Sequence, residues 1–463
     1  MSSPQIVQSH SAELKKELGL ADLVLIQILY IAGSGWVGTA AKLGDSQIAF
    51  WLLAVVFYYA PLAAVVIYLN RFMPLEGGLY QWAKSGFNDF TGFMVGWNIW
   101  LAIVGLIAVE GLGIAANLGY AFAAEELGRS RLFILLVTCL LVAFLMVVSV
   151  LGLRVGKWFQ NAGGVAQIVV FGTLILVPFL SLRAGTLREY HPLAAAMPAM
   201  SLLSLNVFTK MSMGAFSGFE YVAILAGECR NPARNIGRSV LIAAPAIALM
   251  FILGTSSVLA YVSPEKLDLV GPIPQVLTIA FGRFAWAGLI GPAVILLLVG
   301  RLIGNSTLAI AGNTRLPMVA GWDRLLPDWF SRLHPRYKTP VNSILFVGAL
   351  ILVFGVAALA GVGQQEAFQI VNNAATVFYA LPYLAMFALP LAGFRGVLTP
   401  PFWLRAAAAS GFLVTLLFCG FSIFPIVAVT SSLSFGAKIA GVVAAANLLG
   451  AWFYRIGSRR RTH

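Results

Sequence analysis

The side chains best suited to chemistry in this sequence are charged residues inside long apolar stretches, namely Glu110, Lys210, Glu220 and Arg301. A charged group at the centre of a bilayer costs at least ~2.5 kcal/mol, so it usually faces a partner, a cavity or a ligand. Glu110 could neutralise an amine on a small solute, take up a proton, or pair with Arg301, because buried ions are usually paired. Lys210 could instead extend its amine to the membrane surface.

The sequence contains no comparable group of residues that would support enzyme catalysis. Residues 152–158 are one residue short of a phosphate-binding loop and lack its Ser or Thr, and no histidine lies within an apolar stretch. Cys139, Cys229 and Cys419 have no metal-ligand spacing and are expected to be core residues. We therefore expect no enzyme activity, no catalytic residue, no metal site and no cofactor.

Two glycine-rich clusters offer a second kind of chemistry, that of free backbone groups. The first begins at Ala32 and ends at Gly38, and the second begins at Gly214 and ends at Glu220. Glycine in a helix interior costs ~1 kcal/mol against alanine, so each cluster predicts a break. Unwound backbone survives in a membrane only where it lines protein or a water-filled cavity. Close packing of two helices at Gly214 and Gly218 is the alternative for the second cluster.

The elements that position these groups are membrane helices. Of the 463 residues, 60% are hydrophobic and 10% are charged, and the mean hydropathy is +0.90. Apolar runs of roughly 20 residues can each cross the ~30 Å hydrocarbon layer. The pattern predicts an all-α membrane protein of twelve transmembrane helices, near 20–42, 47–70, 90–120, 132–152, 157–182, 203–227, 238–262, 285–312, 341–360, 366–390, 403–425 and 433–454.

The distribution of basic residues sets the predicted orientation. Connections on the side of the termini are rich in Lys and Arg, whereas the opposite connections carry few. This asymmetry accounts for the net charge of +13, so nucleic-acid binding is not needed to explain it. Because positive loops stay cytoplasmic, both termini are expected inside, in a plasma or inner membrane. Residues 1–19 and 455–463 form cytoplasmic tails around a single membrane domain at 20–454, and no cleavable signal peptide is expected.

The positions of the two breaks predict an internal repeat. They fall in the first and sixth spans, which are matching places in two successive five-helix sets, residues 20–182 and 203–390. Paired broken helices are typical of inverted-repeat transporters with a binding site near the midplane. Residues 403–454 would then form two additional helices.

Several motifs resemble those of the amino acid-polyamine-organocation (APC) transporters. Gly33-Ser34-Gly35 is similar to their first-span G-S-G, and residues 216–220, Phe-Ser-Gly-Phe-Glu, to their sixth-span F-x-G-[FYVW]-[ED]. Residues 74–82 with 96–101 resemble their P-x-x-G-G-x-Y-x-W loop and third-span start, and residues 228–236 resemble E-x-x-N-P-x-R-x-I. Residues 315–327 resemble the segment after their eighth span, with Arg324 where glycine is usual.

This resemblance implies a LeuT-type fold of five plus five helices and alternating access around a site between spans one, three, six, eight and ten. It implies that N–H groups near Ser34, Gly35 and Trp36 meet a substrate carboxylate, as suits a helix N-terminus. The ammonium would meet carbonyls from the two breaks, and Phe216 would cover the site. The whole implied substrate site comprises Ile31, Ala32, Gly33, Ser34, Gly35, Trp36, Glu110, Gly214, Ala215, Phe216, Ser217 and Gly218.

Trp36 stands where a small or aliphatic residue is usual. Gly214 stands where arginine/agmatine antiporters carry a tryptophan, so the pocket is expected to lack that wall.

Coupling and gating candidates follow from the same resemblance. Gln167 stands where some relatives have a lysine that replaces a sodium ion, so a lysine-based proton step is not expected. Ser306 and Thr307 lie near hydroxyls that bind sodium in other members, although such side chains also bond to their own helix. Glu220 would sense a proton or hold the helix. Phe216 and Arg301 are the remaining coupling or gating candidates. The coupling ion, H⁺ or Na⁺, is left open, as is exchange without an ion.

The function expected is secondary active transport of amino acids. A carrier or exchanger of polyamines or other organic amines is the alternative, favoured if Glu110 faces the pocket unpaired, and a channel or substrate-sensing receptor ranks lower. The expected partners are a small-molecule substrate and the lipid bilayer. No nucleic acid and no obligatory protein partner is expected.

Overall fold

The computed structural model describes residues 14–193, 196–197, 200–282, 288–358, 364–393, 400–425 and 431–461. Within these ranges the chain is helical and forms no strand. A single parallel bridge joins Leu18 to Cys229. The prediction of an all-α membrane protein is therefore confirmed.

The helices are numbered here in chain order. They are α1 (Leu20–Ile31), α2 (Ser34–Ala41), α3 (Gly44–Phe72), α4 (Leu79–Gly86), α5 (Asp89–Ala121), α6 (Glu125–Arg129), α7 (Arg131–Leu151), α8 (Leu153–Arg183), α9 (Leu202–Thr209), α10 (Tyr221–Ile224), α11 (Pro232–Leu259), α12 (Pro272–Phe281), α13 (Ile290–Trp322), α14 (Val341–Ala358), α15 (Gln364–Ala392), α16 (Phe402–Phe421) and α17 (Ser432–Arg461).

By length and composition, the described residues contain nine helices able to cross a membrane, or ten if the bent pair α1–α2 counts as one span. The sixth predicted span fails this test because it is divided into short pieces. The ninth, α14, is a shorter apolar helix. The number twelve stays a prediction.

The first span breaks where the glycine cluster predicted. Helix α1 ends at Ile31, Ala32 and Gly33 have non-helical backbone angles, and α2 begins at Ser34. The two helices are bent by 42°.

The sixth span breaks over a longer stretch. Helix α9 passes into a π-helical segment, Lys210–Ala215, and α10 begins only at Tyr221. Gly218 has φ +132°, a conformation that residues with a side chain rarely adopt. Single π-helical turns are often found at functional sites.

A scaffold of long helices surrounds the breaks. Helix α5 packs against both α13 and α15, and α8 packs along α13. Helices α1 and α2 lie against α11, and α8 also contacts α1. The broken spans are therefore enclosed by long, continuous helices.

The end of the bundle where residues 14–19 lie is called here the N-terminal face. The backbone N–H groups of Glu17 and Leu18 donate to the carbonyl of Glu228 at 3.0 and 3.1 Å. Arg315 donates to the Glu228 carboxylate at 2.8 and 2.9 Å. The N-terminal segment is thereby fastened to the chain just after the sixth span.

Cysteine placement differs in part from expectation. Cys229 is buried and Cys419 is half-buried, as core residues would be. Cys139, however, is exposed on α7, so its expected place in the core is wrong. Helix α7 is apolar and long enough to cross a membrane, so an exposed thiol on it need not face water.

Candidate functional site

A cavity of about 230 Å³ lies at the first break. Its walls come from α1, α2, α5, the π-helical segment, α13 and α15, with Leu269 and Val270 from the loop before α12. It lies in the half of the bundle away from the N-terminal face, because it includes α2 and the later part of α5. Expected site residues that line it are Ile31, Gly33, Ser34, Gly35, Trp36, Glu110, Gly214, Ser217, Arg301 and Ser306.

The N-terminus of α2 faces this cavity through Ser34, Gly35 and Trp36. No side chain caps the helix, and the N–H of Trp36 donates to the Gly33 carbonyl at 3.3 Å. The first N–H groups of a helix have no intrahelical acceptor, so those of Ser34 and Gly35 remain for a ligand. A Cβ built on Gly35 would meet only the Leu269 carbonyl oxygen, at 3.9 Å, so this glycine borders open space.

The carbonyl end of the first break is already used by the protein. The Gln167 side chain, fully buried on α8, donates from Nε2 to the carbonyl oxygen of Ala32. The Ile31 carbonyl accepts from the Gly33 N–H at 2.7 Å. Ala32 is buried and does not line the cavity. Gln167 therefore holds the unwound backbone instead of facing the cavity.

Trp36 corrects the expected shape of the pocket. A Cβ on Gly214 would overlap the six-membered ring of Trp36, and a Cβ on Gly33 would lie 2.8 Å from its Cδ1. The indole thus lies across both glycines and joins the two broken spans. The expectation that Gly214 leaves the pocket without a wall is wrong, because the tryptophan comes from the first span.

Glu110 and Arg301 face the same cavity from α5 and α13. Among the described residues, no ion pair within 4.0 Å joins them. Glu110 Oε1 and Arg301 Nε also lack a hydrogen-bond partner in the part of the chain described. The two side chains bring opposite charges into one cavity without neutralising each other directly.

The sixth break is occupied by a hydrogen-bond network. Glu220, 1% exposed, accepts from Tyr379 Oη at Oε1 over 2.5 Å and from Tyr383 Oη at Oε2. The N–H of Gly218 donates to Tyr383 Oη at 2.8 Å. Tyr30 Oη donates to Tyr379 Oη at 3.4 Å. Glu220 therefore ties the break to α15, which supports the expected holding role.

Other expected residues of the sixth break lie behind the cavity wall. Phe216 is fully buried, stacked on Tyr59 with centroids 4.1 Å apart and edge-on to Trp51 at 5.1 Å. Phe216, Ala215 and Gly218 do not line the cavity. Phe216 is thus part of an aromatic core and does not cover the site in this conformation. Ser217 does line the cavity, and its Oγ is 2.8 Å from Tyr58 Oη.

The coupling candidates on α13 have different environments. Thr307 donates to the Gly304 carbonyl at 2.7 Å, which is the ordinary bond of a hydroxyl to its own helix. Ser306 lines the cavity, and its Oγ has no partner within the described residues. Of these two hydroxyl groups, Ser306 alone lines the cavity and could meet a ligand or an ion.

Lys210 is not at the membrane surface. It is 4% exposed, and its Nζ lies 5.9 Å from the ring centroid of Phe418 with no hydrogen-bond partner in the described part of the chain. The expectation that its amine reaches the surface is wrong, because the side chain is buried against Phe418 of α16.

Some site residues lack a sequence-based prediction. Tyr30 and Tyr379 line the cavity, and Tyr383 contacts both Glu220 and Gly218. The sequence spacing of two of them was informative, because Tyr379 and Tyr383 are four residues apart and therefore lie on the same face of α15. Their partner, however, is more than 150 residues away in sequence.

Comparison with known proteins agrees with this architecture. The profile of the amino acid permease family matches residues 18–447. The branched-chain amino acid permease BcaP of Bacillus subtilis is 24% identical over 399 residues, covering 80% of this chain and 82% of that protein. The low-affinity putrescine importer PlaP of Escherichia coli is 25% identical over 385 residues, covering 78% and 80%.

A solved structure extends the comparison to the fold. The crystal structure of MhsT in complex with L-phenylalanine matches with a TM-score of 0.60 at 13% identity, over 86% of this chain and 97% of that one. The fold is of the LeuT type. The chain belongs to the amino acid permease family of the APC superfamily, and is thus a multi-pass membrane transporter.

Proposed function

We propose that this chain is a secondary active transporter of amino acids that binds its substrate in the cavity at the first break. The observation that carries the proposal is that an uncapped helix N-terminus and a carboxylate, Glu110, face the same cavity. A zwitterion needs donors at one end and an acceptor at the other, and this cavity offers both.

The carboxylate of the substrate would meet the N–H groups of Ser34 and Gly35. The positive end of the α2 dipole favours an anion there. Arg301 adds a second positive group in the same cavity. A substrate carboxylate would satisfy donors that the protein leaves free.

The ammonium would meet Glu110. This differs from the expectation that carbonyls of the breaks accept from it, because the Ala32 carbonyl already accepts from Gln167 and Ala215 is buried behind the wall. The about 230 Å³ of the cavity suits one small solute, since pockets for drug-sized ligands have ~300–1,000 Å³.

Transport of polyamines is the second candidate, favoured by the lack of a direct ion pair at Glu110. A polyamine has no carboxylate, however, so it would leave the α2 N-terminus unsatisfied and bring positive charge toward Arg301. The cavity chemistry therefore favours an amino acid over a diamine.

Alternating access is part of the proposal. Two buried ion pairs fasten the N-terminal face, Arg315–Glu228 at 2.8 Å and Lys84–Asp323 at 2.6 Å. We take this face as the cytoplasmic one, closed in the present conformation. Opening it would require both pairs to separate as the broken spans move. The coupling ion is H⁺ or Na⁺, unless exchange proceeds without one.

Thermal melting of the purified protein against amino acids and polyamines tests the substrate class, because a bound ligand raises Tm by mass action. We expect an amino acid to raise Tm and Gly35→Val to lose that response, since its side chain would fill the space beside the α2 N-terminus. Gly441→Val is the matched control, because Gly441 is exposed on α17 with nothing within 4 Å of its Cβ position.

A response to polyamines alone would transfer the proposal to amine transport. An undiminished response of Gly35→Val to amino acids would contradict the site.

A further inference from the structure

A second cavity, of about 270 Å³, lies at the N-terminal face, separate from the proposed substrate site. The N-terminal segment, the start of α8, residues 336–339 and the Arg315–Glu228 pair meet around it. We call it the basic cavity, after four of its side chains, Lys15, Arg154, Arg336 and Lys338.

Positive charge in the basic cavity exceeds negative charge. Its two carboxylates are already engaged, Glu228 with Arg315 at 2.8 Å and Glu17 with Lys157 at 3.3 Å. Within the residues that the structure describes, the four basic side chains form no ion pair. Like charges held around one small space repel each other, so the cavity favours an anion.

The start of α8 adds donors to this charge. Gly152 is its N-cap with φ 84°, no side chain caps the helix, and Gly152, Leu153 and Arg154 line the cavity. Helix α8 has 31 residues, so its first N–H groups lie at the positive end of a full helix dipole. Backbone donors beside arginines are typical surroundings of a phosphate group.

The loop that carries two of the cations is held in place. His334 N–H donates to the Thr339 carbonyl at 2.8 Å, and Lys338 N–H donates to the His334 carbonyl at 2.9 Å. Thr339 Oγ1 donates to the Val150 carbonyl at 2.8 Å, which fastens the loop to the end of α7. The cations are thus presented by an ordered loop.

We propose that the basic cavity binds a phosphate group, which bridges Lys15, Arg154 and Arg336. Such a group would link the N-terminal segment, α8 and the loop before α14 at the face that the ion pairs close. Two sources share this chemistry, the headgroup of an anionic phospholipid and a soluble phosphate ester. Trp158, 69% exposed one turn into α8, places the cavity near the membrane interface, where either could reach it. The proposal does not depend on the substrate.

Melting of the full-length protein tests this in two arms. In detergent, inorganic phosphate and glycerol phosphate are titrated at constant ionic strength set with chloride, so that screening is held fixed. In the second arm the protein is placed in nanodiscs of phosphatidylcholine with or without phosphatidylglycerol. Arg154→Gln/Arg336→Gln is compared with Arg332→Gln, which removes an exposed charge outside the cavity.

We expect the double variant to weaken phosphate binding by about tenfold or more, because hydrogen bonds to charged groups are lost. Arg332→Gln should bind as the wild type does. A response to phosphatidylglycerol alone would assign the site to a lipid headgroup, and a response in detergent would assign it to a soluble phosphate. The proposal is overturned if neither anion raises Tm, or if the double variant responds as strongly as the wild type. If the double variant is unstable, Lys338→Gln with the same titrations replaces it.

Discussion

The breaks in the first and sixth spans differ in what satisfies their polar groups. At the first break the N–H groups of Ser34 and Gly35 face a cavity, and only the carbonyl side is held, by Gln167. At the sixth break Glu220 and the Gly218 N–H are bonded to tyrosines of α15. The first break leaves two N–H groups facing a cavity, whereas the polar groups of the sixth break are bonded within the protein. Two similar glycine clusters therefore have different surroundings.

The two breaks should differ most in how much stability they lose when a glycine is replaced by alanine, at Gly218 in the sixth break and at Gly35 in the first. Gly218→Ala combines a disfavoured φ with a Cβ only 2.7 Å from Tyr30 Cδ1, so we expect a loss of about 3 kcal/mol or more in unfolding free energy. Gly35→Ala should melt close to the wild type because its Cβ meets open space. Equal Tm values for the two variants would remove the contrast.

Removing a tyrosine hydroxyl tests the closure of the sixth break directly. Tyr383→Phe removes the hydroxyl that donates to Glu220 Oε2 and accepts from the Gly218 N–H, which should cost about 2–3 kcal/mol. Tyr379→Phe should cost less, because Tyr383 Oη still donates to Glu220 Oε2 and still accepts from the Gly218 N–H. Chemical unfolding measures both. Unchanged stability in both variants would show that these hydrogen bonds do not stabilise the sixth break.

The pH dependence of stability tests a contact just beyond the sixth break. Glu76 Oε2 accepts from the Gly227 N–H at 2.6 Å, and burial, with the nearby Glu228, raises the pKa of Glu76 from 4.5 to about 8. Between those values the folded protein binds more protons than the unfolded chain, so its stability falls as pH rises, by up to about 1.4 kcal/mol per pH unit.

Glu76→Gln removes this titration while keeping an oxygen for Gly227. We therefore expect its Tm to vary less than that of the wild type between pH 5.5 and pH 8. The exposed Glu265→Gln is the control. A slope in Glu76→Gln as steep as that of the wild type would assign the pH dependence to another group.

Glu110 and Arg301 test whether the first break serves a ligand. Because no direct ion pair joins them, Glu110→Gln should change stability by less than about 1 kcal/mol while weakening binding of the ammonium group. Melting and uptake of Glu110→Gln, Arg301→Met and the double variant measure this. A large loss of stability that the double variant restores would make the two residues a structural pair.

The smallest effect is expected at Lys210, which begins the π-helical segment of the sixth break but lies outside its hydrogen-bond network. Its buried amine has no hydrogen-bond partner within the described residues. Lys210→Met should therefore leave the unfolding free energy unchanged or raise it by about 1 kcal/mol. Uptake should not change. A loss of uptake at normal Tm would give Lys210 a role in transport.

The sequence was sufficient for the fold and for both breaks because these depend on local properties. Apolar runs predict the spans, and clustered glycines predict where helices unwind. The motif order led to the family. Ser34, Gly35 and Glu110 line the cavity because they lie on or near the first break and on the third span, and their role in substrate binding stays a prediction.

What could not be predicted depends on contacts between distant parts of the chain. The tyrosines that hold Glu220 are separated from it by more than 150 residues, and the bond of Gln167 to Ala32 spans 135. Burial of Lys210 depends on its contact with Phe418 of α16, a distant part of the chain. Periodicity alone contains none of this information.

The indole of Trp36 has a consequence for sequence variation. It lies over Gly33 and Gly214, so a side chain at residue 214 would compete with it for one volume. Protein interiors are packed too densely to hold both. In an alignment of homologues, large residues at positions 36 and 214 should therefore be mutually exclusive. These two positions, one in the first span and one in the sixth, should covary.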